Sequence, residues 1–406
     1  MTAAPDLNPA EHYWQRNLAV CALGSFTTII AMTLLLPFLP LYVEQLGIAD
    51  PADIAQWSGV AFGATFLSAA FTAPLWGRLG DRYGRKLMLI RASLGMAVAM
   101  SLIGLAENVW QLVLLRLLAG LLGGYASGAT ILVATQTPKA RSGWALGMLS
   151  SGIMAGNLAG PLIGGSLPPL IGIRNTFFLA GAAIFVTFLA TLLLMKEAPR
   201  PRRNTAQKTA AKASVWAGIS DRRPVMIMLV VASVLMFAVM SIEPIITVYL
   251  IQLKAEQVTL AAGVVMSATA LGSIISASRL GNLADRIGHW TVVTGCLTVA
   301  AVLLIPQAFV TQEWQLVVLR FLMGLALGGL LPCIASIIRH AVPENVAGRM
   351  LGYSTSSQYI GQVLGPLAGG YFGGHFGMRV VFLGTCVLLA GCALLTWLLK
   401  PVTLTE

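Results

Sequence analysis

Long apolar stretches, separated by short polar segments, occupy almost the whole chain. Each stretch has roughly 20 residues, enough for one α-helix to cross a hydrocarbon core of about 30 Å. Twelve membrane-spanning helices are predicted in this way, near 17–46, 57–76, 88–106, 109–134, 144–167, 175–195, 225–251, 258–279, 291–311, 315–338, 351–373 and 380–399. The pattern therefore predicts an all-α membrane protein.

A set of glycines and one proline inside the fifth predicted span recurs in the eleventh. The first set is Gly147, Gly156, Gly160, Pro161, Gly164 and Gly165. A shift of 205 residues maps it onto Gly352, Gly361, Gly365, Pro366, Gly369 and Gly370. Glycines four apart permit close helix contact, and each proline bends its helix.

Other segments repeat at nearly the same distance. Residues 110–116 match 314–320 at a shift of 204, and Pro37 and Tyr42 match Pro244 and Tyr249 at 207. Two pseudo-symmetric halves of six transmembrane helices are predicted, as parallel repeats of the kind that build two-half transporters. The predicted boundaries are an N-terminal half at 1–195, a cytoplasmic linker at 196–223 and a C-terminal half at 224–406.

Composition and charge agree with this pattern. With 57% hydrophobic and 10% charged residues, the chain has too little polar surface for a soluble globule. The net charge of +11 is unevenly placed, because with the N-terminus inside only Arg174, Lys254 and Arg379 lie on the outer side. The positive-inside rule predicts that both termini are cytoplasmic, and this placement argues against a nucleic-acid partner.

The reactive side chains do not form a chemical site. The cysteines all lie inside predicted spans, without metal-ligand spacing, at Cys21, Cys296, Cys333, Cys386 and Cys392. The histidines are scattered at span ends, and no nucleophile and base cluster together. We expect no metal, no cofactor, no catalytic residue and no enzymatic activity.

A polar loop between the second and third spans is a candidate gating element. Its candidate residues are Gly77, Asp81, Arg82, Gly84, Arg85 and Lys86. Glycines permit a tight reversal with positive φ. Asp81 can accept from backbone amides at a helix start or pair with Arg85, and that contact must break if the halves rock apart. The second copy keeps Asp285 and Arg286 but has His289 in place of Arg85.

Three of these segments resemble signatures of one family. Residues 77–86 resemble the loop signature of the major facilitator superfamily, and 112–120 resemble its fourth-helix signature. The glycine and proline set resembles the fifth-helix signature of its drug:proton antiporter branch. Residues 85–91 and 142–147 look like multidrug exporters of the MdtG type, and the resemblance runs from Trp14 to Lys400. It implies the twelve-helix fold of that superfamily and a role for Asp81 in holding the outward-facing state.

Charged residues inside the spans are candidates for proton coupling. Arg116 lies in the fourth span, where an unpaired guanidinium costs at least about 2.5–3.5 kcal/mol. The resemblance associates it with proton transfer, whereas Arg320 at the matching position indicates that such an Arg can also simply pin helices. Glu243 is the one acid well inside a span, and Glu44 sits at the outer end of the first. Burial raises a carboxylate's pKa toward neutrality, so Glu243 is the proton-coupling candidate, the alternative being a salt-bridging or vestibule residue.

The resemblance implies that the first, fourth, seventh and tenth helices line a substrate cavity. Aromatic and sulfur side chains there could form an adaptable apolar site, the alternative being helix packing. The candidates are Phe38, Tyr42, Tyr125, Phe237, Met240 and Tyr249, with Phe26, Met32 and Met236 beside them.

These features predict a secondary active exporter of the bacterial inner membrane that expels lipophilic or cationic drugs in exchange for protons. We expect a monomer in the lipid bilayer. An exporter or symporter of sugars or other metabolites is the nearest alternative, although the spans offer few polar groups for a sugar. A non-transporting membrane sensor is the alternative from another class.

Overall fold

The computed structural model describes residues 9–197 and 221–399 of the 406, and regular structure in them is helical throughout. The linker predicted at 196–223 lies outside the described residues, apart from 196–197 and 221–223.

The first half of the chain forms nine helices over the described residues. They are α1 (Pro9–Thr33), α2 (Leu39–Gln45), α3 (Pro51–Tyr83), α4 (Arg85–Ile103), α5 (Val109–Leu122), α6 (Tyr125–Gln136), α7 (Ser142–Ser166), α8 (Pro168–Ile171) and α9 (Ile173–Leu194).

The second half repeats this order. It contains α10 (Arg223–Ile242), α11 (Ile246–Gln252), α12 (Val258–Ile287), α13 (His289–Gln307), α14 (Glu313–Leu327), α15 (Leu330–His340), α16 (Glu344–Phe376) and α17 (Met378–Leu398).

In the described part of the chain, eleven helical segments are long and apolar enough to cross a membrane. They coincide with eleven of the twelve predicted spans. The remaining prediction, 351–373, lies within the 33-residue helix α16, whose many Gly, Ser and Gln residues make it less apolar than the others. The prediction of an all-α, multi-pass membrane fold is confirmed.

The repeat extends to the positions where helices break. A 3₁₀ turn at Leu36–Phe38 separates α1 from α2, and a matching turn at Glu243–Ile245 separates α10 from α11. The shift is 207 residues, and each turn contains a proline, Pro37 or Pro244. Proline breaks the helix because it lacks an N–H and its ring clashes with the preceding turn.

Single glycines connect several consecutive long helices. Gly84 is the only residue between α3 and α4, Gly288 between α12 and α13, and Gly377 between α16 and α17. Their φ angles are 121°, 91° and 91°, a region in which L side chains are strained. Glycine at these points therefore allows a reversal with no intervening loop.

By internal contacts the chain divides into two compact units. One comprises Met1–Phe38 with Ala64–Pro201, and the other comprises Leu39–Gly63 with Arg202–Glu406. Within the second unit, the glycines of α3 and α16 face each other, since a Cβ on Gly59 would overlap the Pro366 carbonyl oxygen. The predicted domain boundaries at 195 and 224 stay a prediction.

In the first unit, the repeated glycines seat α7 directly on the backbone of α1. A Cβ on Gly156 would come within 2.9 Å of the Phe26 carbonyl oxygen, and one on Gly164 would overlap the Leu34 carbonyl. Gly160 faces Ile30 and Thr33 in the same way. Only residues without a Cβ allow this helix separation.

The second unit uses the same device between α16 and α10. A Cβ on Gly365 would lie 2.7 Å from the Phe237 carbonyl oxygen, and one on Gly369 would overlap that of Ser241. Pro161 and Pro366 lie within α7 and α16 without ending either helix. The motif therefore packs the fifth span on the first and the eleventh on the seventh. Its first member in each copy, Gly147 or Gly352, faces open space and takes no part in this packing.

We predict that Gly164→Ala lowers the free energy of unfolding by about 1–3 kcal/mol, because the new methyl group must push α7 away from α1. Gly147→Ala is the matched control in the same helix, and its effect should stay within about 0.5 kcal/mol. Thermal unfolding of the two purified variants, followed by loss of the monodisperse chromatographic peak, compares them. Equal midpoints for both would refute the packing role of Gly164.

Candidate functional site

The predicted gating loop is mostly helix. Helix α3 continues to Tyr83, so Gly77 and Gly80 are helical, and Gly84 alone makes the reversal. Gly80 has a different function, because a Cβ there would lie 2.8 Å from the guanidinium of Arg85. The tight turn is confirmed, but the glycine with positive φ is Gly84.

Asp81 pairs with Arg85, four residues later and across the Gly84 turn. The Asp81 side chain is 52% exposed and that of Arg85 is 17% exposed. A pair this accessible contributes only about 0–1 kcal/mol and can open at little cost. Beside it, the Arg82 guanidinium lies 5.2 Å from the centre of the Tyr83 ring.

The start of α4 is capped by a residue that the sequence reading missed. The backbone amides of Arg85 and Lys86 donate to the two carboxylate oxygens of Glu197, at 2.9 and 3.1 Å. In return, the Lys86 ammonium donates to the Leu192 carbonyl near the end of α9, at 2.9 Å. Because Gly84 has no side chain to cap the helix, the carboxylate supplies the acceptors at its positive end.

The residue before Glu197 is held in turn by Asn17 of α1. The Asn17 amide donates to the Lys196 carbonyl at 2.6 Å and accepts from the Lys196 N–H at 3.1 Å. It also donates to the Gln136 side chain at the end of α6, at 3.0 Å. We call Asn17, Gln136, Lys196, Glu197 and the first turn of α4 the Glu197 clasp. It joins the ends of four spans of the first unit to the predicted gating loop.

The second unit has a different arrangement at the matching place. Asp285 lies 3.6 Å from His289 Nε2, where the first copy has the Asp81 and Arg85 pair, and this contact is ionic only when the imidazole is protonated. The His289 ring also faces that of His340, with centroids 6.2 Å apart. Pro224 stands at the position of Asn17, so the amide of the clasp is absent from the second copy.

Arg116 lies on α5 and is 1% exposed, so the prediction that it faces the bundle interior is confirmed. The Thr65 hydroxyl donates to the Arg116 carbonyl at 3.1 Å, which ties α3 to α5.

Glu243 and Arg320 meet inside the second unit. Arg320 Nη2 lies 3.5 Å from Glu243 Oε1, with the two side chains 1% and 12% exposed. A second guanidinium nitrogen of Arg320 contacts the Met323 sulfur at 3.8 Å. Glu243 belongs to the turn between α10 and α11, whereas Arg320 belongs to α14, so the pair links the seventh and tenth spans.

The repeat did not copy the acid of this pair. Arg320 has a counterpart in Arg116, but the position that matches Glu243 in the first unit is the buried Leu36. The buried carboxylate is therefore specific to the second unit. Its alternative reading as a salt-bridging residue agrees with this geometry and does not conflict with proton binding.

The aromatic cavity candidates are mostly engaged in helix packing. Phe38 lies edge-on to Phe177 at 5.4 Å, and the Tyr125 hydroxyl is hydrogen-bonded to that of Thr191 at 2.9 Å. Tyr249 donates to the Gln307 carbonyl at 3.0 Å. Tyr42 is buried as well. Phe237 and Met240 on α10 are only partly buried, as are Phe26, Met32 and Met236, and these keep surface that a ligand could contact.

Solved structures of low sequence identity share this fold. A bacterial homolog of the human lysosomal transporter Spinster has a TM-score of 0.77 at 17% identity, over 96% of this chain and 97% of that one. The nucleoside transporter NupG has a TM-score of 0.77 at 13% identity, over 94% of this chain and 98% of its own.

Sequence relatives are much closer. Multidrug resistance protein MdtG of Enterobacter lignolyticus is 42% identical over 92% of this chain and 89% of its own length. MdtG of Dickeya zeae is 42% identical over 95% of this chain and 94% of its own length. MdtG of Proteus mirabilis is 40% identical over 97% of this chain and 98% of its own length. The sequence profile of the Major Facilitator Superfamily matches residues 21–305 and again 258–406. The chain is a multi-pass membrane protein and belongs to the Major Facilitator Superfamily.

Proposed function

We propose that this chain is a secondary active multidrug exporter that exchanges hydrophobic or cationic drugs for protons by alternating access. The observation that carries the proposal is the likeness to proteins named multidrug resistance protein MdtG, at 40–42% identity over more than nine-tenths of the chain. We place it in the bacterial inner membrane as a monomer with both termini in the cytoplasm, on the distribution of Lys and Arg between loops.

Glu243 is the proposed proton carrier, with Arg320 as its counter-ion. Desolvation disfavours the charged form of a buried carboxylate, whereas a guanidinium 3.5 Å away favours it, so burial and pairing act on Glu243 in opposite directions. A proton on Glu243 removes the negative charge that faces Arg320, and its release restores the pair at 3.5 Å. Because the pair joins the turn at Glu243–Ile245 to α14, each proton event changes the contact between two spans.

Arg116 keeps two possible roles in this proposal. Its burial and its place in the fourth-helix signature support a part in proton transfer, whereas its hydrogen-bonded backbone supports a role in holding α3 and α5 together.

The Glu197 clasp positions the gating loop in this proposal. The half-exposed Asp81 and Arg85 pair is the contact that opens during the cycle. Glu197 stays on the amides of Arg85 and Lys86, so it holds the start of α4 whether or not that pair is closed.

The candidate substrate surface is apolar and flexible. Phe237, Met240 and Met236 belong to the half-buried face of α10, and methionine adapts its shape to irregular ligands. This surface suits flat lipophilic compounds and cations better than sugars, which need several hydrogen-bonding groups.

We predict that lipophilic cationic drugs release protons from the lumen of energised inside-out vesicles that contain this protein. A pH-sensitive dye in the lumen measures the release, with vesicles that lack the protein as the control. If sugars or nucleosides released protons and drugs did not, the proposed substrate would change from drugs to that class of compound. Drug binding without any proton movement would favour a sensor.

We predict that Glu243→Gln abolishes drug-induced proton release while drug binding persists, because glutamine keeps the shape of the carboxylate but cannot carry the proton. The same change leaves Arg320 buried without its partner charge, which costs about 3–5 kcal/mol of stability. Binding of a fluorescent drug to the purified protein and proton release in vesicles are the two measurements.

Two further variants separate the loss of coupling from the loss of stability. In the double variant Glu243→Gln, Arg320→Gln neither member of this pair carries a charge, so stability should largely return while proton release stays absent. Glu44→Gln changes an exposed acid on α2 and should leave both properties intact. Proton-driven efflux at the wild-type rate in Glu243→Gln would disprove the assignment.

We predict that Glu197→Ala lowers the maximal transport rate and changes the half-saturating drug concentration less. The reason is that the gating loop loses its support at the start of α4. Loss of such a cap costs about 0.5–2 kcal/mol. Glu197→Asp, which keeps a carboxylate, should recover part of the rate. If Glu256→Ala, at an exposed acid outside the first unit, slows transport as much as Glu197→Ala, the clasp has no special role.

A further inference from the structure

A wide apolar groove opens on the membrane-facing side of the second unit. It has a volume of about 680 Å³ and lies between α12, α13 and α14. Its lining includes Leu280, Leu283 and Ile287 from α12, Gly295 and Val299 from α13, and Leu322 from α14. Polar atoms contribute almost nothing to this surface. The volume suits a drug-sized or lipid-sized ligand.

In the first unit, two side chains at the matching positions stack on each other. Trp76 and Arg91 stand at the positions of Leu280 and Gly295, with the shift of 204 residues. The Arg91 guanidinium lies 3.6 Å from the centre of the Trp76 indole ring. Arg91 also donates to the carbonyls of Leu122 and Gly123, at 3.1 and 3.0 Å. The indole N–H of Trp76 donates to the Leu121 carbonyl at 2.7 Å, so the end of α5 is covered from both sides.

The second unit does not have this stacked pair. Leucine replaces the indole of Trp76, and glycine replaces the whole side chain of Arg91. A Cβ added to Gly295 would have no neighbouring atom within 4 Å. The groove therefore lies where the first copy has the stacked Trp76 and Arg91 and the second copy has only Leu280 and Gly295.

The length and exposure of the groove fit one acyl chain. Its lining runs along α13 from Thr291 to Leu303, which at 1.5 Å per residue is about 18 Å. One leaflet of the hydrocarbon core is about 15 Å deep. Leu283, Ile287 and Val299 are 43%, 51% and 50% exposed, so the groove is open to its surroundings, which are lipid tails for a membrane-spanning chain.

Two arginines lie on the same face of α12 as the groove residue Leu283. Arg279 and Arg286 lie four residues before and three residues after Leu283, so they share its helix face, and both are exposed. Arg286 is next to the end of α12, and the long side chain of Arg279 can extend toward the same membrane surface. Cations in this position attract anionic head groups.

We propose that this groove binds one anionic phospholipid, with an acyl chain along Leu280, Leu283 and Val299 and its phosphate beside Arg279 and Arg286. The apolar lining supplies the surface for the chain, and the two guanidinium groups select the head group. This site is independent of the exported cargo and would stand if the proposed function were wrong.

Native mass spectrometry of the purified full chain tests the site, with phosphatidylglycerol or phosphatidylcholine of identical acyl chains added. The wild-type protein should retain one phosphatidylglycerol. Gly295→Leu should lower its occupancy roughly tenfold, because the new side chain occupies the groove. Gly391→Leu on α17 is the matched control, since a Cβ there also meets open space and the position is exposed; it should retain the lipid.

A second variant keeps the test valid if Gly295→Leu does not fold. Arg279→Gln, Arg286→Gln changes only exposed side chains and should lower the preference for phosphatidylglycerol over phosphatidylcholine roughly 30-fold. Equal lipid retention by the wild type and Gly295→Leu would overturn the proposal. So would unchanged head-group preference in the double variant, or retention of tetraphenylphosphonium in the groove in place of any phospholipid.

Discussion

The structure depends on backbone-to-backbone contact between pairs of long helices. In each unit, glycines spaced four residues apart bring one helix against the carbonyl oxygens of another, at α7 on α1 and at α16 on α10. In lipid the hydrophobic effect does not drive helices together, so the contact must come from close packing. The breaks at Leu36–Phe38 and Glu243–Ile245 follow the C-terminal ends of α1 and α10, the helices on which α7 and α16 pack.

On this symmetric frame, the distinctive chemistry lies where the two copies differ. Glu243 faces Arg320, whereas leucine occupies the acid's place in the first unit. The Asp81 and Arg85 pair becomes Asp285 and His289, and the stacked Trp76 and Arg91 become Leu280 and Gly295. Each change alters a charge or a volume, while the order of the helices is the same in both halves of the chain. Duplication thus supplied the scaffold, and the unmatched positions supply the candidates for coupling, gating and lipid binding.

Residue pattern alone predicted the fold because apolar length and a repeated spacing are local properties of the chain. It predicted the burial of Arg116 and Glu243 for the same reason. It could not pair Glu243 with Arg320, since 77 residues separate them and several arginines were available. Glu197 was missed because it lies just past the sixth span, where an acid looks like an ordinary loop residue, and its partners are backbone amides. The one available signal was Gly84, a helix start without a capping side chain. The aromatic candidates Phe38 and Tyr125 share the apolar character of cavity and packing residues, so only the three-dimensional contacts distinguish the two.

The single-glycine connections at Gly84, Gly288 and Gly377 limit how the helices can move. Successive Cα atoms are 3.8 Å apart, so two helices joined by one residue cannot slide past each other by more than a fraction of a turn. The two helices can rotate about the glycine, but the short connection limits axial sliding of one helix along the other. An axial shift of one helix therefore carries the adjoining end of the next helix with it. An axial displacement of α3 at its Asp81 end therefore also displaces the start of α4.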